Sequence, residues 1–266
     1  MSARLRTALL LGLTLAAPAI AHADAILTVR GEYWFMDLSG DVAVSGKNDD
    51  SGVDLDGTTL SLEDSTDGLG LDSDNPIGFS AVLNLGPFFL FGRYIPIDVS
   101  GSGTATTDVN FGDFTFDATA ELDSSLDFKM YDAGLGFHVL NFDDLPIRVQ
   151  VGLLVQVKLL DGSIEAKGPV AGNTEPESQD FTLPIPMVGA RINLGLADFL
   201  AVHVQGAAIA YSGNHLYDVE ARAEFSPLPF VGISAGYRYL NLTIDESDVD
   251  LDATFDGPFV EAFARF

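Results

Sequence analysis

The charged residues of this chain that could do chemistry recur at every second position. Asp218, Glu220, Arg222 and Glu224 alternate with apolar or small neighbours, and Arg30 stands two residues before Glu32. In an extended strand that spacing puts all members of a set on one face. There, opposite signs can pair, line a watery path or hold an ion. Nucleophilic chemistry would instead need a base within hydrogen-bond reach of a nucleophile. Beyond residue 23 the histidines are His138, His203 and His215, and only His215 has a suggestive neighbourhood, in Ser212, Asn214 and Asp218. It could centre a lipid- or peptide-hydrolysing site, but no second constellation supports it, and the sequence predicts no enzyme. Metal chemistry has two candidate strings. Asp248, Asp250 and Asp252 would put three carboxylates on one side of a strand, and Asp54-Leu-Asp56-Gly57 matches part of a calcium loop. Hard cations such as Ca2+ or Mg2+ favour such oxygen ligands. Neither string completes the EF-hand spacing, so solvated acidic loops are the plainer expectation and no resident cofactor is expected.

The elements that must carry these residues are strands. No segment after the first residues runs to the ~18 apolar residues of a membrane helix. Alternating segments of roughly ten residues recur instead, the length with which a tilted strand crosses a bilayer. Ile147, Val149, Val151, Leu153, Val155 and Val157 share one face, and Arg148, Gln150, Gly152, Gln156 and Lys158 share the other. Ten such segments fall at about 25–38, 76–85, 88–98, 126–141, 147–158, 182–194, 199–211, 216–225, 230–241 and 257–266. Their connections alternate between short (Gly86-Pro87, 142–145, 195–198, 226–229) and mostly long (39–75, 99–124, 160–181, 212–215, 242–256). Phe114, Phe116, Ala118 and Ala120 continue an alternation inside the second long loop, which predicts a hairpin extending the third and fourth strands. The fold expected is all-β: a transmembrane, antiparallel up-and-down β-barrel of ten strands, with eight or twelve as alternatives.

Charge and aromatic residues sort by the same partition. The 266 residues carry a net charge of -26. The four longer loops hold ten, five, five and six acids in chain order, against Lys47 and Lys167 alone. So acidic a chain excludes nucleic acid as a partner, because a phosphate backbone demands clustered Lys and Arg. Phe88, Phe142, Phe199, Phe225, Phe230 and Phe266 adjoin the short turns or the terminus. Tyr33, Tyr94, Tyr131, Tyr217, Tyr237 and Tyr239 lie toward the other rim. Two aromatic belts are what the two interfaces of a bilayer select.

Parity assigns Arg30, Arg93, Arg148, Lys158, Arg191, Arg222, Arg238 and Arg265 to the barrel interior, with Glu32, Asp132, Asp218, Glu220, Glu224 and Glu261. Near-balanced signs predict a paired polar plug; a narrow passage lined by both signs is the rival. His138 and His203 fall inside, near the short-turn ends. Folding the chain about the short turns sets Arg238 opposite Asp218, Arg222 opposite Ser234 and Gln150 opposite His138, with Asp132 diagonal to Lys158.

Residues 1–23 read as a secretory signal peptide: Arg4 and Arg6, an apolar run from Ala8 to Ala17, then Ala21-His22-Ala23. The expected division is thus 1–23 leader and 24–266 barrel. Cysteine is absent, which removes a lipid-acylation site and any disulfide framework.

The last strand places Val260, Ala262, Ala264 and Phe266 on one face and ends in an aromatic residue. This resembles the terminal signal by which the outer-membrane assembly machinery takes up its barrel clients, and it makes Phe266 the candidate assembly signal. The strings Tyr131-Asp-Ala-Gly-Leu-Gly-Phe137 and Gly236-Tyr-Arg-Tyr239 are similar to those of small bacterial outer-membrane barrels of the OmpA-like and OmpW-like type. Ala264 stands where a bulkier residue is frequent. The resemblance implies the Gram-negative outer membrane as location. The partners it implies are outer-membrane lipid and lipopolysaccharide, with periplasmic chaperones and the barrel-assembly machinery during biogenesis. Omptin proteases, also ten-stranded, would call for an outer Asp-x-His pair, which this chain lacks. The expectation is a structural or narrow passive-channel protein with acidic extracellular loops. The alternative is a surface binder of divalent cations or of a basic partner.

Overall fold

A computed structural model describes residues 25–47, 54–66, 68–104, 108–111, 114–116, 121–142, 147–167, 177–246 and 249–266. The expected leader, Asp248 and most of the 142–145 turn lie outside these residues. Ten antiparallel strands close on themselves: β1 (Leu27–Trp34), β2 (Ile77–Leu85), β3 (Phe88–Thr104), β4 (Glu121–Phe142), β5 (Arg148–Lys167), β6 (Glu177–Ala197), β7 (Leu200–Tyr211), β8 (Asn214–Leu228), β9 (Val231–Glu246) and β10 (Val249–Arg265). Each pairs with its neighbours in sequence, and β1 pairs with β10 from Thr28↔Arg265 to Trp34↔Phe259. Closure leaves no edge strand in the ring, as lipid requires, although the β6–β7 ladder ends at Val188↔Ala208.

Each of the ten predicted segments matches one of these strands, the first ending at Trp34 instead of residue 38, but the wall is uneven in height. β4, β5 and β6 run to 22, 20 and 21 residues, whereas β1 and β2 have eight and nine. The long second loop does extend β3 and β4, and it carries a small hairpin of Val109–Phe111 and Phe114–Phe116. The first loop is not free either. Asp37–Val44 continues up β10, and Leu60–Ser61 pairs on Asp41–Val42. The chain then bridges to the top of β3 through Leu71↔Gly101 and Thr66↔Thr104. This strap completes the wall above the short β2. It needs glycine where it crosses β3, since a Cβ at Gly101 would sit 1.8 Å from the Gly70 carbonyl oxygen.

Turn geometry explains two shifts from the sequence expectation. The fourth outer connection is a two-residue turn, Ser212-Gly213, with φ of 52° and 92°. Positive φ at both central residues matches the twist of a tight hairpin. The turn between β8 and β9 is Pro229-Phe230, not 226–229, with a bulge between Phe225 and Leu228. Arg238 therefore faces Glu220, and Arg222 faces Gly236, two residues from the expected partners. Likewise Asp132 faces Lys158 directly, His138 faces Gly152, and a bulge after His138 places Gln150 opposite Asn141. Where the slip is two residues, as at Asp132, Arg222 and Arg238, side chains keep their predicted faces; beyond the bulge after His138 it is three.

Outside, the wall is apolar: Val155 is 56% exposed and Val188 67%. Such continuous apolar surface belongs in lipid. The inner phenylalanines Phe88, Phe142, Phe199, Phe225, Phe230 and Phe266 are exposed, as are Tyr33, Tyr131, Tyr217, Tyr237 and Tyr239 at the other rim.

Candidate functional site

The lumen is built by the inward residues of all ten strands and has two storeys. The lower one is ionic. β1 supplies Arg30 and Glu32, β3 Arg93, β4 Asp132, β5 Lys158, β8 Asp218, Glu220, Arg222 and Glu224, β9 Arg238, and β10 Glu261 and Arg265. Arg238 grips Glu32 through two parallel bonds of 2.6 and 2.8 Å and reaches Glu220 at 3.1 Å. Lys158 lies 2.6 Å from Asp132 and 2.9 Å from Asp218. Arg93 joins Glu220 to Asp132, bonding the former and standing 3.8 Å from the latter. Glu220 also takes Arg222 at 2.6 Å. Nearer the short turns, Arg30 lies 3.5 Å from Glu224 and 3.7 Å from Glu261, and Arg265 bonds Glu224. Ser234 donates to Glu261 at 2.5 Å.

Every carboxylate of the predicted inward set thus meets a cation, which is the condition under which burying charge is tolerable. The fourteen charges predicted to face inward are brought together with two exceptions. Arg148 sits at the rim, its side chain 43% exposed, 4.0 Å from Asp198. Arg191 is buried but meets no carboxylate among the described residues. Its Nε and Nη2 donate to Gln205 at 2.8 and 2.5 Å, and its guanidinium lies 4.4 Å from the Phe89 ring centre. Stacking on an aromatic face partly offsets the lost partner. His203 Nδ1 is 2.8 Å from Asn193 Oδ1, and His138 stacks on Phe89.

The upper storey is apolar; alternation puts Phe89, Phe91, Ile95 and Ile97 on the inward face of β3 with Arg93, but the expectation of an ionic interior did not extend this to the other strands. Trp34, Ile95, Ile97, Phe128, Met130, Leu160, Leu216, Leu240 and Phe255 continue the inward faces above the charges, all buried. Leu60, Leu62, Leu69 and Leu71 of the strap seal them. The signal was present in Leu60-x-Leu62 and Leu69-x-Leu71, alternations inside a segment read as loop. Arg238 joins the storeys, with its guanidinium 4.9 Å from the Trp34 ring centre.

On the outer rim, carboxylates stand opposite one another: Asp37↔Asp256, Asp41↔Asp252 and Asp245↔Asp250. Asp54 pairs with Lys47, and the backbone oxygen of Asp56 accepts from Asn110. Among the described residues, which leave out Asp248, no group of three or more His, Asp or Glu could hold a metal ion. His215 faces outward, its Nε2 3.0 Å from Asn241 Oδ1 and 3.2 Å from Thr243 Oγ1. Phe266 ends the chain beside β1, exchanging backbone hydrogen bonds with Leu27.

Fold and lumen together define a ten-stranded barrel of the outer-membrane type, with a filled interior. Among solved structures it is similar to the outer-membrane protease OmpT of Escherichia coli, with a TM-score of 0.54 at 9% identity over 90% of this chain and 96% of that one. It also matches the translocator domain of the autotransporter NalP from Neisseria meningitidis (0.42, 12% identity, 90% and 88%). Neisserial surface protein A is a further match (0.33, 12% identity, 90% and 97%). No family model and no curated protein sequence matches the chain.

Proposed function

We propose that the protein resides in the outer membrane of a Gram-negative bacterium as a closed structural barrel presenting an acidic exterior rim. The observation that carries this is the filled lumen: a belt of mutually paired charges under a buried apolar cap. An ion passing through would have to break buried pairs and then cross an oily layer, both costly. Lipid and lipopolysaccharide are the surroundings it would meet there, and Phe266 is its proposed assembly signal. No catalytic role is proposed. His215 supports that reading, because its ring faces an amide and a hydroxyl, with no carboxylate among the described residues to orient it. Planar-bilayer recording of the purified protein is expected to show no steady current steps, and excision of the strap 58–72 is expected to create them. Steady steps from the intact protein would replace this reading with a channel.

The opposed aspartates favour a second role, surface binding of cations or of a basic partner. Like charges directly across a ladder destabilise it, so cations that screen them should stabilise the rim. Millimolar Ca2+ or Mg2+ is expected to raise the unfolding temperature more than equal ionic strength of NaCl, and Asp41→Asn with Asp252→Asn to remove the difference. Equal effects of the two salts would end this role.

A further inference from the structure

The ladder between β6 and β7 stops well below the top of the wall. Its last pair is Val188↔Ala208. Above it, β6 continues to Glu177 bound only to β5, and Ile209–Tyr211 is bound only to β8. Pro184 and Pro186 lie in this one-sided stretch, and proline, having no N–H, is suited to a strand edge. The gap opens level with Tyr217, which pairs with Ala208 and belongs to the outer aromatic belt. An open cleft of about 970 Å³ borders the gap and runs on over β5, β4 and β3 to Leu135 and Leu90.

The cleft's lining mixes the two faces of the wall. Val155, Val188 and Ala210 face lipid, whereas Phe91, Met187 and Ile209 belong to the inward faces. No charged side chain lines it. Gln156, 5% exposed, also lines it; its Nε2 rests on Met187 Sδ and its Oε1 has no hydrogen-bond donor among the described residues. A second groove, of about 610 Å³, crosses β8, β9, β10 and β1 and reaches Ile77 of β2. It lies over unbroken ladders, as at Gly31↔Ala262 and Ala235↔Val260, and is surface relief only.

We propose that the β6–β7 cleft is a lateral binding site for one acyl chain of an outer-leaflet membrane lipid, entering between Pro186 and Ala210 toward Met187 and Ile209. The occupant follows from position and chemistry: the mouth is at the bilayer's interface, its walls are hydrocarbon, and the apolar matter at that level is lipid chain. Gln156 Oε1 gives a chain bearing a hydroxyl one additional bond. The site rests on the membrane placement proposed above, and the test separates the two.

The protein is reconstituted in vesicles containing a phospholipid with a photoreactive diazirine in its acyl chain, irradiated, and the labelled residues are mapped by mass spectrometry. Labelling is expected at Met187 and Ile209 as well as at lipid-facing Val155 and Val188. Ala210→Trp, which fills the mouth from the lipid side, should cut labelling of Met187 and Ile209 about tenfold, equivalent to about 1.4 kcal/mol of binding, and leave Val155 unchanged. Labelling confined to lipid-facing residues overturns the site but not the membrane placement. The absence of labelling anywhere overturns both. Inward labelling that Ala210→Trp does not change also overturns the site.

Discussion

Arg238 shows what a single side chain contributes here. It holds Glu32 with two bonds, shares Glu220 with Arg93 and Arg222, and supports Trp34 and Phe259 from below. Removing it leaves Glu32 buried without a cation. Breaking such a pair from one side typically costs about 3–5 kcal/mol. Arg238→Ala is therefore expected to lower stability by that order in urea unfolding from lipid vesicles. Lys158 makes a sharper case, because it is the sole ion-pair partner given to Asp218 among the described residues, whereas Asp132 also lies near Arg93. Lys158→Met should destabilise strongly, and adding Asp218→Leu should recover part of the loss, since removing both charges removes the uncompensated one. A double variant no more stable than Lys158→Met would show that the belt does not act through pairing. Which residues face inward was legible from parity alone. Which one meets which was not, since that depends on turn lengths and on the bulges after His138 and Phe225, neither of which leaves a periodic trace.

Hairpins and strap set the next scale. The β7–β8 turn holds Ser212 at φ 52° and Gly213 at φ 92°. Asn and Gly are the residues that accept such angles most readily. Gly213→Ala should lower stability by at least about 1 kcal/mol, and Ser212→Asn should raise it slightly, both read from the urea midpoint. The strap is fixed differently, by close backbone approach. Gly101→Val would drive side-chain atoms into the Gly70 carbonyl. It should make residues 54–66 sensitive to an external protease while the barrel below stays protected. All ten spans could be read from alternation because each keeps one face in lipid. The strap could not, since its leucines are buried by neighbouring strands and its acids disguise it as a solvated loop. Pro184-x-Pro186 did carry the sign of an interrupted ladder, but only the register of β6 against β7 reveals where the interruption falls.

For the whole molecule, the decisive quantity is how the interior is divided between charge and hydrocarbon. The strand order, the belt of phenylalanines and that of tyrosines are consequences of bilayer geometry, and the sequence displays them. The apolar cap is a consequence of long-range packing across the lumen, and parity alone does not show it, because inward leucines and phenylalanines of different strands gather into one layer only when the register is known. One feature of that cap also offers a clock for biogenesis. Trp34 is the chain's sole tryptophan, it is fully buried, and its indole Nε1 donates to the Gly257 carbonyl oxygen at 3.2 Å. Donor and acceptor come from the first and the last strand, so they meet when the cylinder is zipped shut. Its emission should shift to shorter wavelength only at that step, after strand content has formed by circular dichroism. Arrival of both signals together would instead mean that the seam closes in concert with the rest.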